Sequence, residues 1–171
     1  MTFDEAFQKI PANGWLTEAE ARGLWHHAHG TVLEVGCYYG RSTCLMLYKG
    51  CAVDSVDPIR GFDSDDKNGM KTAKALIANV RATGLYDMWK MHQMRIEEWT
   101  PKPMDVAYLD GDHTYEGTIG QIKVALACHV KTILVHDVND SGEGTEVKRA
   151  CLELLGPWKG RVERLAVWEL T

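Results

Sequence analysis

Four residues that could form a binding site lie at similar places along the chain, each just past the end of a predicted strand: Gly36, Asp57, Asp110 and Asp137. Short apolar runs, which predict these strands, are typical of the buried strands of a parallel sheet. The carboxyl ends of such strands line the ligand crevice of an open α/β sheet. A single aspartate in a turn is ordinary, but four such positions at one edge indicate a site for a polar ligand.

The chain from 31 to 43, TVLEVGCYYGRST, begins with an apolar run and continues into a turn with glycines at Gly36 and Gly40. The apolar run predicts a buried strand, and the glycines allow a sharp turn in which the backbone approaches a ligand closely. Ser42 and Thr43 can cap the helix that follows. The spacing G-x-x-x-G differs from the dinucleotide fingerprint G-x-G-x-x-G. The strand, the glycine turn and the helix N-terminus together predict a binding site.

Glu34 stands two residues before the first glycine, and with this carboxylate the segment resembles the first motif of class I S-adenosylmethionine-dependent methyltransferases. A second stretch, DVAYLDGDHTYE at Asp105–Glu116, is followed by ILVHDV after one further helix signal. Together the two stretches resemble a small-molecule O-methyltransferase-like subgroup related to the catechol and sugar O-methyltransferases. The resemblance extends from about Gly14 to Leu155. It implies an α/β fold, S-adenosylmethionine as the cofactor and a hydroxylated small molecule as the partner.

The resemblance also implies how the cofactor is held: the backbone around the glycine turn holds its methionine part, and the acidic residue of the motif reaches its ammonium group. Asp57, about 20 residues after Gly36, can accept hydrogen bonds from both hydroxyls of a ribose. That contact suits NAD as well as S-adenosylmethionine, so only the glycine spacing discriminates between the two. The expected cofactor-binding residues are Glu34, Gly36, Tyr38, Gly40, Ser42, Thr43, Asp57 and Asp110.

In the enzymes that the chain resembles, the carboxylates after the fourth and fifth strands bind a divalent cation, which lowers the pKa of the acceptor hydroxyl. Carried over, these metal ligands are Asp110 and Asp137, and the cation is Mg²⁺ or another hard ion that prefers oxygen ligands. The third ligand of the family directly follows the second carboxylate, and here that residue is Val138. A site without metal therefore remains an alternative, in which Asp110 orders the loop or bonds to the ligand directly.

The expected catalytic residues are His113 and Asp110. His113 is a candidate general base, because an imidazole with an ordinary pKa near 6.5 can remove a hydroxyl proton near neutrality. The alternative is a structural role, in which His113 caps the helix that begins near Tyr115. Both interpretations place the histidine in the loop that follows the fourth strand.

Alternating strand and helix signals must position these residues. Strands are predicted at Thr31–Val35, Ala52–Val56, within Met88–Met94, Asp105–Leu109, Lys131–Val135 and Arg161–Leu170. Helices are predicted at Thr17–Ala28, which opens with a capping box of Thr17 and Glu20, near Ser42–Lys49, and at Gly69–Thr83, Tyr115–Cys128 and Thr145–Leu155. A polar turn is predicted at Asp63–Asn68. The alternation indicates a Rossmann-like, doubly wound α/β fold with helices on both faces of a mostly parallel sheet. We expect six strands in the order 3-2-1-4-5-6, and the alternative is a sheet of seven strands.

Composition limits the class of protein further. A length of 171 residues predicts one domain, residues 1–171, in which residues 1–30 form an N-terminal helical cap. The net charge of −5 argues against a nucleic-acid partner, and no apolar run is long enough for a membrane span. The first 15 residues lack the pattern of a signal peptide, and the five cysteines include no C-x-x-C pair. These features predict a cytoplasmic protein with reduced thiols.

Three functions from different classes follow from the sequence. The favoured one is an S-adenosylmethionine-dependent methyltransferase that methylates a hydroxyl of a small molecule or sugar. The second is a non-catalytic S-adenosylmethionine-binding protein, which the missing third metal ligand favours. The third is a nucleotide-dependent oxidoreductase, which the glycine spacing disfavours. The short chain leaves the acceptor side either open to a large substrate or completed by a second subunit of a homo-oligomer.

Overall fold

Seven strands form one sheet in the computed structural model, which describes residues 1–60, Asp66 and residues 68–170. The strands are β1 Thr31–Val35, β2 Ala52–Val56, β3 Trp89–His92, β4 Val106–Leu109, β5 Thr132–Val135, β6 Gly160–Val162 and β7 Leu165–Glu169. Their order is β3-β2-β1-β4-β5-β7-β6. Strands β1 to β5 are parallel to their neighbours, whereas β7 is antiparallel to both β5 and β6. Most of the predicted turn at Asp63–Asn68 lies outside the described residues.

Helices cover both faces of the sheet, as the sequence predicts. They are α1 Phe3–Phe7, α2 Glu18–His27, α3 Arg41–Lys49, α4 Met70–Ala82, α5 Tyr115–Ala127 and α6 Gly144–Leu155. Side chains alternate along β1: Val32 packs into a core with helices α1 to α4, and Leu33 and Val35 into a core with α5 and α6. The two cores are the two faces of a doubly wound α/β fold. The predicted fold class is therefore confirmed.

The carboxyl-terminal part of the predicted strand order is wrong. We expected one strand over Arg161–Leu170, but the chain reverses there and forms the hairpin of β6 and β7. Glu163 takes the left-handed backbone conformation with φ of 52°, and Nε of Arg161 donates to its carbonyl oxygen at 2.7 Å. A non-glycine residue rarely adopts this conformation, so the sequence carries no turn signal at this point. Strand β7 consequently lies between β5 and β6.

The amino-terminal segment contains two helices, of which the sequence predicts only the second. Helix α2 begins at the predicted capping box: the hydroxyl of Thr17 accepts from the backbone N–H of Glu20, and the carboxylate of Glu20 accepts from that of Thr17. Helix α1 has a capping box of its own, formed by Thr2 and Glu5. Both helices contribute to the core that contains α3, to which Ile10 and Leu16 of the segment between them also belong.

The state of the cysteines bears on the expectation of reduced thiols. All five cysteines are buried and free, which agrees with the prediction of reduced thiols. Burial raises the pKa of the thiols of Cys44 and Cys151 to about 12, so neither is a reactive thiolate near neutrality.

In the part of the chain that the structure describes, no helix combines the length and apolar character that crossing a membrane requires.

Candidate active site

A cavity of about 600 Å³ lies at the carboxyl end of the sheet. Gly36, Asp57, Asp110 and Asp137, which follow β1, β2, β4 and β5, all line it. The structure thus brings together the four positions that the sequence singles out. This is the edge at which the strand order reverses between β1 and β4, where open α/β sheets bind their ligands.

The glycine turn after β1 forms the floor of the cavity. Gly36 has φ of 82°, and a Cβ atom added there would lie 2.1 Å from the carbonyl oxygen of Asp110. Gly40 has φ of 83° and packs against Leu76 of α4. Any side chain at the first glycine would push the turn away from the loop after β4. The two loops therefore meet only because this residue is glycine.

Asp57 holds the glycine turn from the side of β2. Its Oδ2 accepts hydrogen bonds from the backbone N–H groups of Cys37 at 2.9 Å and Tyr38 at 3.3 Å, and its Oδ1 accepts from that of Ile59 at 2.7 Å. The side chain is half-buried and lines the cavity. Because each carboxylate oxygen has two lone pairs, Asp57 keeps acceptor capacity for a ligand. Tyr38 itself stacks on Trp15 at the cavity wall, with ring centroids 5.2 Å apart.

Glu34 lies behind the glycine turn rather than in the cavity. It is fully buried, with Oε1 accepting from the hydroxyl of Ser42 at 2.6 Å and Oε2 from those of Thr43 at 2.7 Å and Ser55 at 2.5 Å. The expectation that Glu34 touches the cofactor does not fit this geometry, because the carboxylate is enclosed by these three hydroxyl groups. It positions the first turn of α3 instead.

The predicted capping role of Ser42 and Thr43 is also wrong, because α3 begins at Arg41 and both residues therefore lie inside its first turn, where their hydroxyls donate to Glu34. Gly40 is the N-cap of α3, and it makes no side-chain capping bond. The first turn of α3 therefore keeps backbone N–H groups for another acceptor. Of the two hydroxyl residues, only Ser42 lines the cavity.

The burial of Glu34 gives the protein a testable pH dependence. Burial raises the pKa of Glu34 from 4.5 to about 7, against the opposing effect of the hydroxyl donors. The folded state then binds the proton more tightly than the unfolded state, so this contribution to stability is lost as the pH rises from about 4.5 to about 7. Over that range we expect the unfolding free energy to fall by up to about 3 kcal/mol relative to a Glu34→Gln variant.

Urea denaturation of the wild type and the Glu34→Gln variant at several pH values measures this difference. A Glu116→Gln variant, which removes an exposed carboxylate from the first turn of α5, is the matched control and should follow the wild type. Parallel curves for the wild type and the Glu34→Gln variant would contradict the prediction.

The loops after β4 and β5 bring a histidine between two carboxylates. Nε2 of His113 lies 3.6 Å from Oδ1 of Asp110 and 3.4 Å from Oδ2 of Asp137. These separations are long for hydrogen bonds, and this buried nitrogen has no hydrogen-bond partner among the described residues. Proximity to Asp110 raises the pKa of His113 above 6.5. His113 does not cap α5, because Thr114 does so by accepting from the backbone N–H of Gly117 at 3.1 Å.

His136 lies behind these carboxylates and is almost completely buried. Its Nδ1 is 3.3 Å from Oδ1 of Asp110 and 3.2 Å from Oδ2 of Asp137, and its Nε2 is 3.1 Å from Oε2 of Glu20. Although burial opposes the charged form, these carboxylates raise the pKa of His136 to about 12. Conversely, although burial opposes it, the interactions of Glu20 with His136 and with the backbone N–H groups of Thr17 and Arg164 together lower the pKa of Glu20 to about 2. The buried pair is therefore ionic.

Arg164, in the turn between β6 and β7, completes the cluster. Its Nη1 donates to Oδ1 of Asp137 at 2.8 Å, its Nε to Oε1 of Glu20 at 3.3 Å and its Nη2 to the carbonyl oxygen of Trp15 at 3.0 Å. The sequence singles out neither Glu20 nor Arg164 for this site. Glu20 already has a local explanation in its capping box, and Arg164 falls in the middle of a segment that reads as one strand. For His136, the sequence does offer a signal, which is its place in the V-H-D motif at the end of β5.

The metal that the resemblance implies can be tested against these contacts. Asp110, His113 and Asp137 each present one potential ligand atom, and the three atoms lie within 4.8 Å of one another. However, Val138 is fully buried and provides no third oxygen ligand, and the guanidinium of Arg164 already contacts Asp137. A hard cation such as Mg²⁺ requires several oxygen ligands in a near-octahedral arrangement. The residues present do not fit such a cation.

Comparison with known proteins bears on both the fold and the site. A sequence family described as "Methyltransferase domain" matches residues 33–138, which is more than half of the chain and includes the glycine turn and both loops of the histidine site. No curated protein matches the chain by sequence.

Three solved structures illustrate the structural similarity, and at their low identities they bear on the fold alone. The S-adenosylhomocysteine-bound methyltransferase PaMTH1 of Podospora anserina has a TM-score of 0.68 and 15% identity, over 99% of this chain and 87% of that one. An O-methyltransferase from Bacillus cereus in complex with S-adenosylhomocysteine has a TM-score of 0.60 and 17% identity, over 90% and 77%. CalS11, a TDP-rhamnose 3′-O-methyltransferase of calicheamicin biosynthesis, has a TM-score of 0.61 and 15% identity, over 98% and 91%.

Proposed function

The chain belongs to the methyltransferase-domain family and is an S-adenosylmethionine-dependent methyltransferase, and from this premise we propose that its acceptor is a hydroxyl of a small molecule or sugar. One observation carries the proposal. Nε2 of His113 lies beside the cavity without a hydrogen-bond partner, between the carboxylates of Asp110 and Asp137. A nitrogen in this setting is suited to remove a proton from a hydroxyl group.

The glycine turn and the two elements beside it form the proposed cofactor site. The uncapped first turn of α3, with Ser42 beside it, suits the carboxylate of the methionine part, because backbone N–H groups and the helix dipole both favour an anion there. Asp57 suits the ribose hydroxyls, since it lines the cavity and keeps acceptor capacity. Asp110, which lines the cavity and whose backbone carbonyl adjoins Gly36, suits the ammonium group.

The reaction is a nucleophilic substitution. S-adenosylmethionine supplies the methyl group: the acceptor oxygen forms the new C–O bond while the S–CH₃ bond breaks and its electron pair remains on sulfur. In our proposal Nε2 of His113 takes the hydroxyl proton. The carboxylates of Asp110 and Asp137 then stabilise the imidazolium that forms. Holding the acceptor in position supplies a further, large part of the acceleration.

A direct test is methyl transfer to a panel of hydroxylated acceptors, aromatic and sugar, with radiolabelled S-adenosylmethionine. Product formation that depends on His113 supports the proposal. The non-catalytic function predicts tight cofactor binding with no transfer to any acceptor. The oxidoreductase function predicts that NAD binds more tightly than S-adenosylmethionine, which titration calorimetry with both ligands measures.

The ribose contact gives a second prediction. We expect an Asp57→Ala variant to bind S-adenosylmethionine more weakly by about 1–3 kcal/mol, because ribose hydroxyls would lose their buried acceptor. Titration calorimetry measures the change, and an Asp87→Ala variant, which removes an exposed aspartate from the turn before β3, should bind like the wild type. Unchanged affinity in a folded Asp57→Ala protein would count against the assignment.

A further inference from the structure

We propose that the guanidinium of Arg164 occupies the electrostatic place of a divalent cation beside Asp137 and Glu20, so that this site works without metal. The inference rests on the proposed function for the reaction that it serves. The charge arrangement itself stands on the contacts of Arg164 alone. Arg164 belongs to the carboxyl-terminal hairpin, which lies outside the segment that the methyltransferase-domain family matches. The proposal gives this residue a function in the site.

The first argument is the balance of charge. Three carboxylates converge at this end of the sheet: Glu20, Asp110 and Asp137. Two carboxylates so close together repel each other and normally need a cation between them. Here Arg164 lies against two of the three, and a guanidinium is always charged in proteins. The imidazole of His136 also lies 3.1–3.3 Å from all three, so a guanidinium and an imidazole already occupy the positions next to these carboxylates.

The second argument is the use of the carboxylate oxygens. Oδ1 of Asp137 accepts from Arg164, and Oδ2 faces the imidazoles of His113 and His136. Oδ1 of Asp110 faces the same two imidazoles, and its Oδ2 accepts from the phenol of Tyr108 at 3.0 Å. Each oxygen that could coordinate a metal ion therefore already has a donor or an imidazole nitrogen beside it.

The third argument is that Arg164 is held in place. Its guanidinium has three separate acceptors, on Asp137, Glu20 and the backbone of Trp15. Its own backbone N–H donates to Oε1 of Glu20 at 3.2 Å, and its carbonyl oxygen accepts from the N–H of Val138 at 2.9 Å. The residue that replaces the third metal ligand of the related enzymes is thus bonded to the backbone of the residue that supplies the charge. Metal entry would require breaking several of these contacts together.

Titration calorimetry with Mn²⁺, and separately with Mg²⁺, on the full chain saturated with S-adenosylhomocysteine tests the inference without any acceptor. We expect the wild type to bind no metal ion at Asp137. Any metal binding that the wild type shows should therefore be unchanged by an Asp137→Asn substitution. An Arg164→Met variant keeps the bulk of the side chain but loses its charge. It should bind Mn²⁺ roughly tenfold or more tightly than wild type, because a unit charge in contact with Asp137 has been removed.

The gained binding should disappear in the double variant Arg164→Met, Asp137→Asn. An Arg149→Met variant, which removes an exposed guanidinium paired with Glu146, should bind metal like the wild type. Stoichiometric Mn²⁺ binding to the wild type that Asp137→Asn abolishes would overturn the inference, as would a folded Arg164→Met variant with no gain. Because the readout is metal binding, a failure of the proposed methyl transfer would show separately, as the absence of product with and without metal.

Discussion

Replacing His113 with alanine should lower kcat by roughly 10²–10⁴-fold, the range that a general base contributes. The reason is that Nε2 of His113 lies beside the cavity, 3.4–3.6 Å from carboxylate oxygens of Asp110 and Asp137, and has no hydrogen-bond partner among the described residues. The affinity for S-adenosylmethionine should stay within about twofold of the wild type, because the proposed cofactor contacts leave this ring free. Steady-state kinetics with the best acceptor from the panel, and calorimetry with the cofactor, measure the two quantities.

A His26→Ala variant, which removes an exposed histidine from the last turn of α2, is the control and should retain wild-type kinetics. In the wild type, kcat/KM should fall as the pH drops through the pKa of His113, because the base must be neutral to accept a proton. The pKa of His113 is raised by Asp110, so the fall should occur above the ordinary value of about 6.5. A fully active His113→Ala variant would exclude this histidine as the base.

The comparison of His113→Ala with Asp137→Ala, each assayed with magnesium and with a chelator, separates two routes. Activity that needs no metal and is lost in His113→Ala supports the base that we propose. Activity that requires magnesium and is lost mainly in Asp137→Ala would support a cation route and contradict the charge arrangement around Arg164.

Replacing Glu20 with alanine should lower the free energy of unfolding by about 3–5 kcal/mol, the usual cost of removing one partner from a buried ion pair. Glu20 is fully buried and serves His136, Arg164 and the capping box with Thr17 at the same time. Urea denaturation at neutral pH measures the loss. Glu18, two residues earlier, is exposed and pairs with Arg22 on the surface.

A Glu18→Ala variant should therefore lose no more than about 1 kcal/mol, as exposed ion pairs usually do. The pKa of Glu20 is lowered from 4.5 to about 2, so its contribution is fully present above about pH 4.5 and is lost as the pH falls toward 2. The gap between the wild type and the Glu20→Ala variant should accordingly narrow below about pH 4. Equal losses in the Glu18 and Glu20 variants would show that the buried network contributes little.

The features that the sequence predicts are those determined by neighbouring residues. The strand before Gly36, the glycine turn and the capping box of Thr17 and Glu20 all depend on residues a few positions apart, and the structure contains each of them. The placement of Asp57, Asp110 and Asp137 at one edge follows from strand alternation, because a parallel sheet brings the ends of its strands together. Local signals therefore suffice for the fold class and for the position of the cavity.

The features that the sequence does not reveal depend on contacts between distant parts of the chain. Glu34 reads as a ligand contact, but Ser55 of the neighbouring strand helps to enclose it. The reversal at Glu163 has no glycine or proline to mark it, and its side chain instead bonds to Thr17. Arg164 belongs to the site only because that reversal brings it to Glu20 and Asp137. None of these pairings leaves a periodic pattern in the sequence.

The hairpin of β6 and β7 has a consequence for the order in which the protein acquires its structure. The contacts of Thr17 with Glu163 and of Glu20 with Arg164 join residues 146 and 144 positions apart. Closing such long loops costs more chain entropy than pairing adjacent strands, and it precedes the gain from the contacts themselves. During synthesis β1, the glycine turn and α3 can form early, whereas the ionic cluster can form only after the hairpin has joined the sheet. Folding kinetics should therefore show the buried ionic cluster appearing late in the process.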